Sequence, residues 1–502
     1  MGFYETLEEY GYTNLLQKVE YKQPYFQNLE NVTDAIERAV MTKAKILIIG
    51  DYDVDGLMCI CILKSGLKIL GTDNVTVFRY RKRMHSLDAL AVQQCIQQGF
   101  EYCFIADCGS NNHSLLRKLT YYGIKVILLD HHESSIDYAG YSELGNDINV
   151  INTMLEPKEY SLSAGALCYC VMHYAIGKAG KNEDGLAVYA LISLYADCMQ
   201  MSDDLNRSIY YKATELDREL IPADIAMFMN KYQVISSRFI NYWFSPRINA
   251  MFRAENLEVL NKLFIDESTA MEISENLDVV ESSYEILRDM VNKISDVIEV
   301  TEMNTFAIAD VYSVDSFIGV EQNKLWNYTG LIANQLTDRY SKAAFVYCYN
   351  GEFTKGSVRD TFGRDLLSLF SQLCRAEGHP PAFGTQIQQL DLESFLQDLE
   401  RLDKKLQLQQ PSNKPVILQY NYSTLDRTLM EDLALINEFA SPGVPVALIK
   451  KQKIGNMPEY KTPYDYRYNW DHMTIQSAHA IPFGTWMLLR PCKGIKTKLI
   501  VQ

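Results

Sequence analysis

Three carboxylates spaced two residues apart, Asp51, Asp53 and Asp55, stand between Gly50 and Gly56. Ahead of them runs Ile46-Leu47-Ile48-Ile49, short and β-branched, which reads as a strand buried on both faces. After them Leu57-Met58-Cys59-Ile60-Cys61-Ile62-Leu63 reads as the first turns of a packed helix. Like charges at one strand end repel, and a divalent cation, hard and oxygen-seeking, is the usual means of holding them together. A helix cap with turn residues would account for one of these acids or for two, but not for three between glycines.

Two further strand ends repeat the pattern. Tyr102-Cys103-Phe104-Ile105-Ala106 runs into Asp107-Cys108-Gly109, and Val126-Ile127-Leu128-Leu129 runs into Asp130-His131-His132. Helical segments separate these strands, so the sheet is expected to be mainly parallel, with its carboxyl ends along one edge where open α/β sheets bind ligands. Asp53, Asp55, Asp107 and the His131/His132 pair therefore converge. A fourth acidic point, Asp197, follows the apolar, helix-like Leu191–Ala196 and on its own would pass for a cap or a surface acid.

The elements around these ends are less sharply marked. Residues 1 to about 43 read as helical and peripheral, with a helix start near Asn31-Val32-Thr33. Val75-Thr76-Val77-Phe78 reads as a strand entering Arg79-Tyr80-Arg81-Lys82-Arg83, which suits either a phosphate-contacting loop or a solvated surface. Ile273, Leu277, Val280, Tyr284, Leu287, Val291, Ile294 and Ile298 alternate spacings of four and three, the seam of a long connecting helix, with a self-associating coiled coil as the competing reading. Residues 303 to about 400 read as a smaller α/β domain, with Phe306–Ala309 and Ala344–Tyr347 as strands and Asn350-Gly351 as a hairpin turn. In the tail, Lys450, Lys451, Lys453, Lys461 and Arg467 interleave with Tyr460, Tyr464, Tyr466, Tyr468 and Trp470, a mixture that suits single-strand binding or an ordinary barrel with a wet outer face.

At 502 residues the chain calls for more than one core. Its 47% hydrophobic and 22% charged content is ordinary for a globular protein, and no apolar run approaches the roughly 20 residues needed to span a bilayer. The acidic and aromatic opening residues do not read as a secretory signal. None of the eleven cysteines forms a Cys-x-x-Cys pair, and a reducing, cytoplasmic location is expected. A net charge of −15 argues against a non-specific DNA coat, although local patches rather than totals steer phosphates.

Taken together the motifs resemble the DHH phosphoesterase superfamily, in its RecJ-like single-strand exonuclease branch. Asp51-Tyr52-Asp53-Val54-Asp55-Gly56 matches the first motif, Asp107-Cys108-Gly109 the second, Asp130-His131-His132 the name-giving third, and Ala196-Asp197 the fourth. Pro246-Arg247-Ile248-Asn249-Ala250-Met251-Phe252-Arg253 is similar to the branch's P-R-x-N-A-x-x-R segment, and Gly356-Ser357-Val358-Arg359 to its G-S-x-R motif. Gly378-His379-Pro380-Pro381-Ala382-Phe383-Gly384 resembles the glycine/histidine motif of the accessory DHHA1 domain. Two departures stand out: Met84-His85-Ser86-Leu87 replaces a Gly-Tyr-Gly-Leu run, and Glu377-Gly378 replaces a double glycine.

The resemblance implies an α/β chain in four parts. These are N-terminal helices with a mainly parallel-sheet DHH domain (1–255), a connecting helical segment (256–302), a smaller α/β DHHA1 domain (303–400) and a mostly β, abbreviated oligonucleotide-binding-like region (401–502). It implies two divalent ions, Mn²⁺ preferred and Mg²⁺ admitted, on Asp53, Asp55, Asp107, His131 and Asp197, with Asp51 as a further candidate ligand and Asp107 as the bridge. His132 would act on the transferring phosphoryl group or the leaving oxygen, and Asp130 would orient the histidines. Arg81, Asn249, Arg253, Ser357, Arg359 and His379 fall where the family grips its substrate. The implied partner is single-stranded nucleic acid, DNA foremost, with a single-strand-binding protein or a helicase as protein partners, no membrane, and a monomer. The implied activity is a 5′→3′ exonuclease. Its rivals are a nanoRNase or cyclic-dinucleotide phosphodiesterase, and a catalytically silent scaffold.

Overall fold

The computed structural model describes residues 3–9, 12–80, 86–183, 185–230, 232, 234–266, 270–313, 322–360, 364–379, 382–407, 417–420 and 427–439, and beyond these the backbone of the strands between 446 and 501. By its internal contacts the chain forms two compact units, residues 1–280 with 417–502, and residues 281–416.

The first unit is built on five parallel strands, β1 (Ile46–Gly50), β2 (Val75–Val77), β3 (Tyr102–Ala106), β4 (Lys125–Asp130) and β5 (Ile148–Asn152), in the order β2-β1-β3-β4-β5. Every residue of β1 and β3 is buried, because helices cover both faces of the sheet. Leu47, Ile49, Cys103, Ile105, Val126, Leu128 and Val150 face one way, against the Ala89–Gln97 and His113–Tyr121 helices. The opposite face packs on the Val54–Leu70 and Ala164–Lys178 helices, which are apolar nearly all round and lie against each other and against Leu186–Ala196. With every strand parallel, Asp51, Asp107, His131 and Asn152 all emerge at one edge.

In the second unit six strands lie in the order β10-β11-β9-β8-β7-β6. They are β6 (Val300–Glu302), β7 (Phe306–Asp310), β8 (Ala343–Tyr349), β9 (Phe353–Arg359), β10 (Arg375–His379) and β11 (Ala382–Gln388). Only β7 and β8 run parallel, joined through the Thr329–Tyr340 helix, and β8 turns into β9 at Asn350-Gly351 as expected for that dipeptide. Phe345, Phe370 and Phe383 fill the core together with Phe395 and Leu399 of the Leu392–Gln407 helix. The C-terminal strands β12 (Ile417–Tyr420), β13 (Val446–Lys453), β14 (Glu459–Lys461), β15 (Tyr466–Trp470), β16 (Met473–Ser477), β17 (Trp486–Cys492) and β18 (Lys498–Val501) make a mixed sheet, in agreement with a mostly β tail. The long seam is a 28-residue helix, Ala270–Val297, that buries Val280, Leu287, Val291 and Ile294 along one stripe. No helix among the described residues is long and apolar enough to cross a membrane.

Two expectations need correcting. The N-terminal segment is not helical throughout: Phe3–Glu9, Thr13–Leu16 and Leu29–Met41 are, while 17–28 runs without helix, and the last helix starts at Leu29 rather than near Asn31. Pro24 lacks an amide donor, and Tyr21 and Phe26 pack edge-on against Tyr169 and Tyr160, which ties this stretch down as an extended strap. Strand β5 carries no acid at its end, so no charge marked it in the sequence.

The turn from β1 into its helix rests on a close approach of backbone to backbone. A Cβ on Gly56 would lie 2.4 Å from the Asp51 carbonyl oxygen and 2.5 Å from its nitrogen. We expect Gly56→Ala to cost about 1–3 kcal/mol, the usual range for overpacking, read as a lower urea midpoint. A second element is pinned farther out: the Tyr189 hydroxyl, on the helix that ends at Asp197, donates to both Asp224 carboxylate oxygens at 2.8 and 2.9 Å. Burial pushes Asp224 up to about 6 against an ordinary 3.8, with Tyr189 and Lys64 pulling the other way. Between these values the unfolded chain releases its proton first, so stability falls as pH rises through that window. Asp224→Asn is expected to remove this slope and to gain about 3 kcal/mol at neutral pH relative to wild type, measured by urea midpoints at pH 4 and 7.

Candidate metal centre

The first turn is braced from beneath by Tyr80. Its hydroxyl donates to the Asp51 carbonyl at 3.0 Å, its amide and carbonyl each meet the Asn261 side chain at 3.2 Å, and its ring sits edge-on to Tyr52 and Phe252. Asp53 then caps the Val54–Leu70 helix, its carboxylate accepting from the Gly56 amide at 3.0 Å.

Asp55, one step into that helix, is 1% exposed. Its two oxygens accept from the amides of Ala164 (2.9 Å) and Gly165 (2.8 Å), the open amino end of the Ala164–Lys178 helix, and from the Ser193 hydroxyl. Ser163, which caps that helix, hydrogen-bonds Ser193 in turn.

Asp107 leaves β3 in the left-handed region at φ 61°, a conformation aspartate tolerates better than most side chains, and it is 2% exposed. Burial, followed by Asp55, Asp53, Asp197 and Asp51, holds its carboxyl well above the usual range. Burial, then Asp197 and Asp53, does the same to Asp55.

At the end of β4, Asp130 points back into the protein. Its Oδ1 accepts from the amides of His131 (2.8 Å) and His132 (3.2 Å) and lies 2.8 Å from His132 Nδ1, while Oδ2 accepts from the Ser110 amide and hydroxyl. Burial alone would raise Asp130 and lower His132. Their mutual contact overrides it, so Asp130 is held well below the carboxylate range and His132 rises to about 10. His131 Nδ1 lies 3.1 Å from the Leu162 carbonyl, which can only accept, so the ring proton sits there and Nε2 turns to the acids. Nε2 is 3.2 Å from Asp197, 3.3 Å from Asp107 and 3.7 Å from Asp55.

Ligand atoms lie within 4.8 Å of one another inside each of three sets: Asp55/His131/Asp197, Asp51/Asp53/Asp107 and Asp107/His131/His132. An imidazole lone pair and several carboxylate oxygens aimed at common points are stable together only around positive charge. A donor set dominated by carboxylates, with few imidazoles, suits a hard divalent cation, so these residues fit Mn²⁺ or Mg²⁺.

Every metal-ligand candidate from the sequence is thus brought to one edge. Missing from that reading were Ser193, the amides of Ala164 and Gly165, the Leu162 carbonyl, Tyr80 with Asn261, and Asn152, whose amide bridges Ser110 and the His132 carbonyl at 2.9 Å each. Ser163 directly before an apolar helix was the one available signal.

The substrate candidates are placed unevenly. Asn249 and Arg253 lie on the Ser245–Arg253 helix, while Ser357 and Arg359 lie on β9 of the second unit. His379 ends β10, its side chain being outside the described residues, as is Arg81 entirely. Of the basic run, Arg79 is engaged by Asp266 and by Glu258 at 3.7 Å. Lys450, Lys451 and Lys453 fall on β13, Tyr460 and Lys461 on β14, and Tyr466, Arg467, Tyr468 and Trp470 on β15, while Tyr464 lies outside the described residues.

Crowded buried acids make a cation response measurable without catalysis. Mn²⁺ added to chelator-treated protein is expected to raise the unfolding free energy, by about 2.7 kcal/mol at a hundred times its dissociation constant. Asp107→Asn is expected to stabilise the metal-free chain and to lose most of that gain. A wild type indifferent to both Mn²⁺ and Mg²⁺ in thermal denaturation would contradict the assignment.

Residues 45–201 match the DHH family, N-terminal domain. The chain is 24% identical over 400 residues to the single-stranded-DNA-specific exonuclease RecJ of Bacillus subtilis, covering 75% of this chain and 48% of that protein. It is 22% identical over 413 residues to the Salmonella typhimurium RecJ, covering 74% of this chain and 69% of the relative. It therefore spans about half the length of the Bacillus protein. The crystal structure of Thermus thermophilus RecJ in complex with Mn²⁺ superposes with a TM-score of 0.71 at 16% identity, over 99% of this chain and 74% of that one, which shows a shared fold. The chain thus carries a DHH domain over residues 45–201 and is similar along about three quarters of its length to proteins described as RecJ.

Proposed function

We propose that the chain is a metal-dependent 5′→3′ exonuclease that hydrolyses single-stranded DNA to 5′-mononucleotides. The observation that carries this reading is the meeting of Asp53, Asp55, Asp107, His131 and Asp197 at one sheet edge, in a chain similar to proteins described as single-stranded-DNA-specific exonucleases. These five residues, with Asp51 beside Asp53, would hold two divalent ions, Mn²⁺ in preference to Mg²⁺; Asp107 and His131 are each common to two of the ligand sets, and of the two a carboxylate is the group able to bridge. Such ions supply an activated water and neutralise phosphoryl oxygens during in-line displacement.

The remaining work falls to the chain's own groups. Asp130 holds His132 Nδ1, so the opposite nitrogen of a charged imidazole carries a proton outward. From there His132 would steady the phosphoryl group or protonate the departing 3′-oxygen. Asn249 and Arg253, and on the second unit Ser357, Arg359 and His379, would bind the 5′-phosphate and nearby backbone, with Arg81 joining them. Guanidinium groups suit phosphate because each offers paired donors to paired oxygens. Residues 1–255 would then be the catalytic part, 256–302 the connector, 303–400 a substrate-binding DHHA1 domain and 401–502 a nucleic-acid-binding region. The reading also places the protein in DNA repair, recombination or replication, acting as a monomer in the cytoplasm.

End-labelled 5′-phosphorylated single strands, duplexes and dinucleotides, offered with Mn²⁺, test this. Single strands are expected to shorten from the 5′ end, and Asp53→Ala or Asp107→Ala to lower the rate at least about a thousandfold, since such centres supply several kcal/mol of barrier lowering. Cleavage confined to dinucleotides would favour a short-oligonucleotide phosphodiesterase. No cleavage of any of them would favour a scaffold.

A further inference from the structure

Strand β9 of the second unit carries Lys355, Ser357 and Arg359 on one face, the half-buried face of an alternating strand, while Thr354, Gly356 and Val358 turn inward. Directly across on β11 stand Gln386, Gly384 and Ala382, a row that leaves Ser357 and Arg359 low, uncharged neighbours. Farther along the same register Glu377 is engaged by Arg375 at 2.7 Å.

Two of the three β9 side chains meet the amino end of the Thr329–Tyr340 helix. The Ser357 hydroxyl lies 2.9 Å from that of Thr329, and a Cβ on Gly330 would stand 2.8 Å from an Arg359 guanidinium nitrogen, so the missing side chain admits the guanidinium over the helix's first turn. A guanidinium set against a helix amino end concentrates positive potential at one point. Lys355 is held differently: its Nζ sits 4.4 Å above the Trp326 ring, in the turn that leads into the same helix. Trp326 is tied into this arrangement, because its carbonyl accepts the Thr329 hydroxyl at 3.0 Å.

A lysine on a flexible stem is thereby fixed in line with the other two. Alternate residues of a strand stand about 6.6–6.8 Å apart, a spacing comparable to the phosphate repeat of an extended polynucleotide. We propose that Lys355, positioned by the Trp326 ring, contacts the phosphate next along a single strand from the one bound at Ser357 and Arg359. The proposal rests on the single-strand reading above. It adds a second backbone contact on the same strand, read through charge and not through base identity.

Salt dependence provides the test, in full-length chain carrying Asp107→Ala so that bound strands persist. For a 5′-phosphorylated oligothymidylate followed by fluorescence anisotropy, Lys355→Gln is expected to reduce the slope of log affinity against log salt by about 0.7, one single-strand phosphate. Lys355→Arg is expected to restore it. Trp326→Leu is expected to reduce the slope in the same direction and to add little to Lys355→Gln, since both act on one ammonium. Thymidine 5′-monophosphate, with one phosphate, is expected to bind the Lys355→Gln chain as it binds the parent. An unchanged slope, strictly additive losses, or an equal loss for the mononucleotide would overturn the proposal. Because thermal midpoints are compared alongside, a folding defect is recognised separately, and Lys355→Arg still decides. Failure of the chain without Asp107→Ala to shorten single strands would sink the functional reading, whereas an unchanged slope alongside shortening by that chain sinks only this inference.

Discussion

Repulsion among buried carboxylates is the constraint around which the first unit is arranged. Asp55 and Asp107 are almost wholly removed from water and have Asp51, Asp53 and Asp197 for neighbours. Leaving such charges uncompensated would cost several kcal/mol each. The fold offsets part of this with dipoles. The amino end of the Ala164–Lys178 helix and the Ser193 hydroxyl stabilise Asp55, while Asp130 is neutralised locally by two amides, Ser110 and His132. What remains is a set of oxygens and imidazole nitrogens that fits divalent cations. The parallel sheet contributes by placing its strand ends along a single line.

Much of this was legible in the sequence because charge and periodicity mark it. Apolar β-branched runs ending abruptly in acids fix β1, β3 and β4 and the direction of the chain, and the spacing of Leu277, Val280, Leu287 and Val291 fixes the long helix. Asp197 illustrates the limit. By itself it looked like any helix-terminal acid, and only the packing of the Leu186–Ala196 helix sets it 3.2 Å from His131. The supporting contacts were harder to read, because they come from backbone groups and from small residues such as Ser193 and Ser110 that have no sequence signature of their own. The extended strap at 17–28 was misread for a related reason. Its conformation follows from tertiary packing of Tyr21 and Phe26, which overrides a weak local helical preference.

Basic residues in this chain do not share one job. Arg79, in the most conspicuous basic run, is drawn to Asp266 and Glu258, and Arg247, within the P-R-x-N-A-x-x-R segment, is buried with its guanidinium 3.4 Å from the Trp243 ring centroid. Both serve the fold first. Lys355 and Arg359 belong to a different class, since each is steered by a neighbour onto the same side of one strand. Local geometry, more than the density of positive charge along the sequence, decides how each of these cations is held.

The tetrapeptide Leu162–Gly165 has a consequence for how the centre endures change. Its Leu162 carbonyl sets the His131 ring and its Ala164 and Gly165 amides hold Asp55, so both are oriented by main chain. Main-chain atoms are the same whichever side chains accompany them. Gly165 is the exception, because a Cβ there would run into the Ser193 side chain and stand 3.0 Å from Asp55, so the bend that orients both ligands admits neither a shift of register nor a side chain at that position.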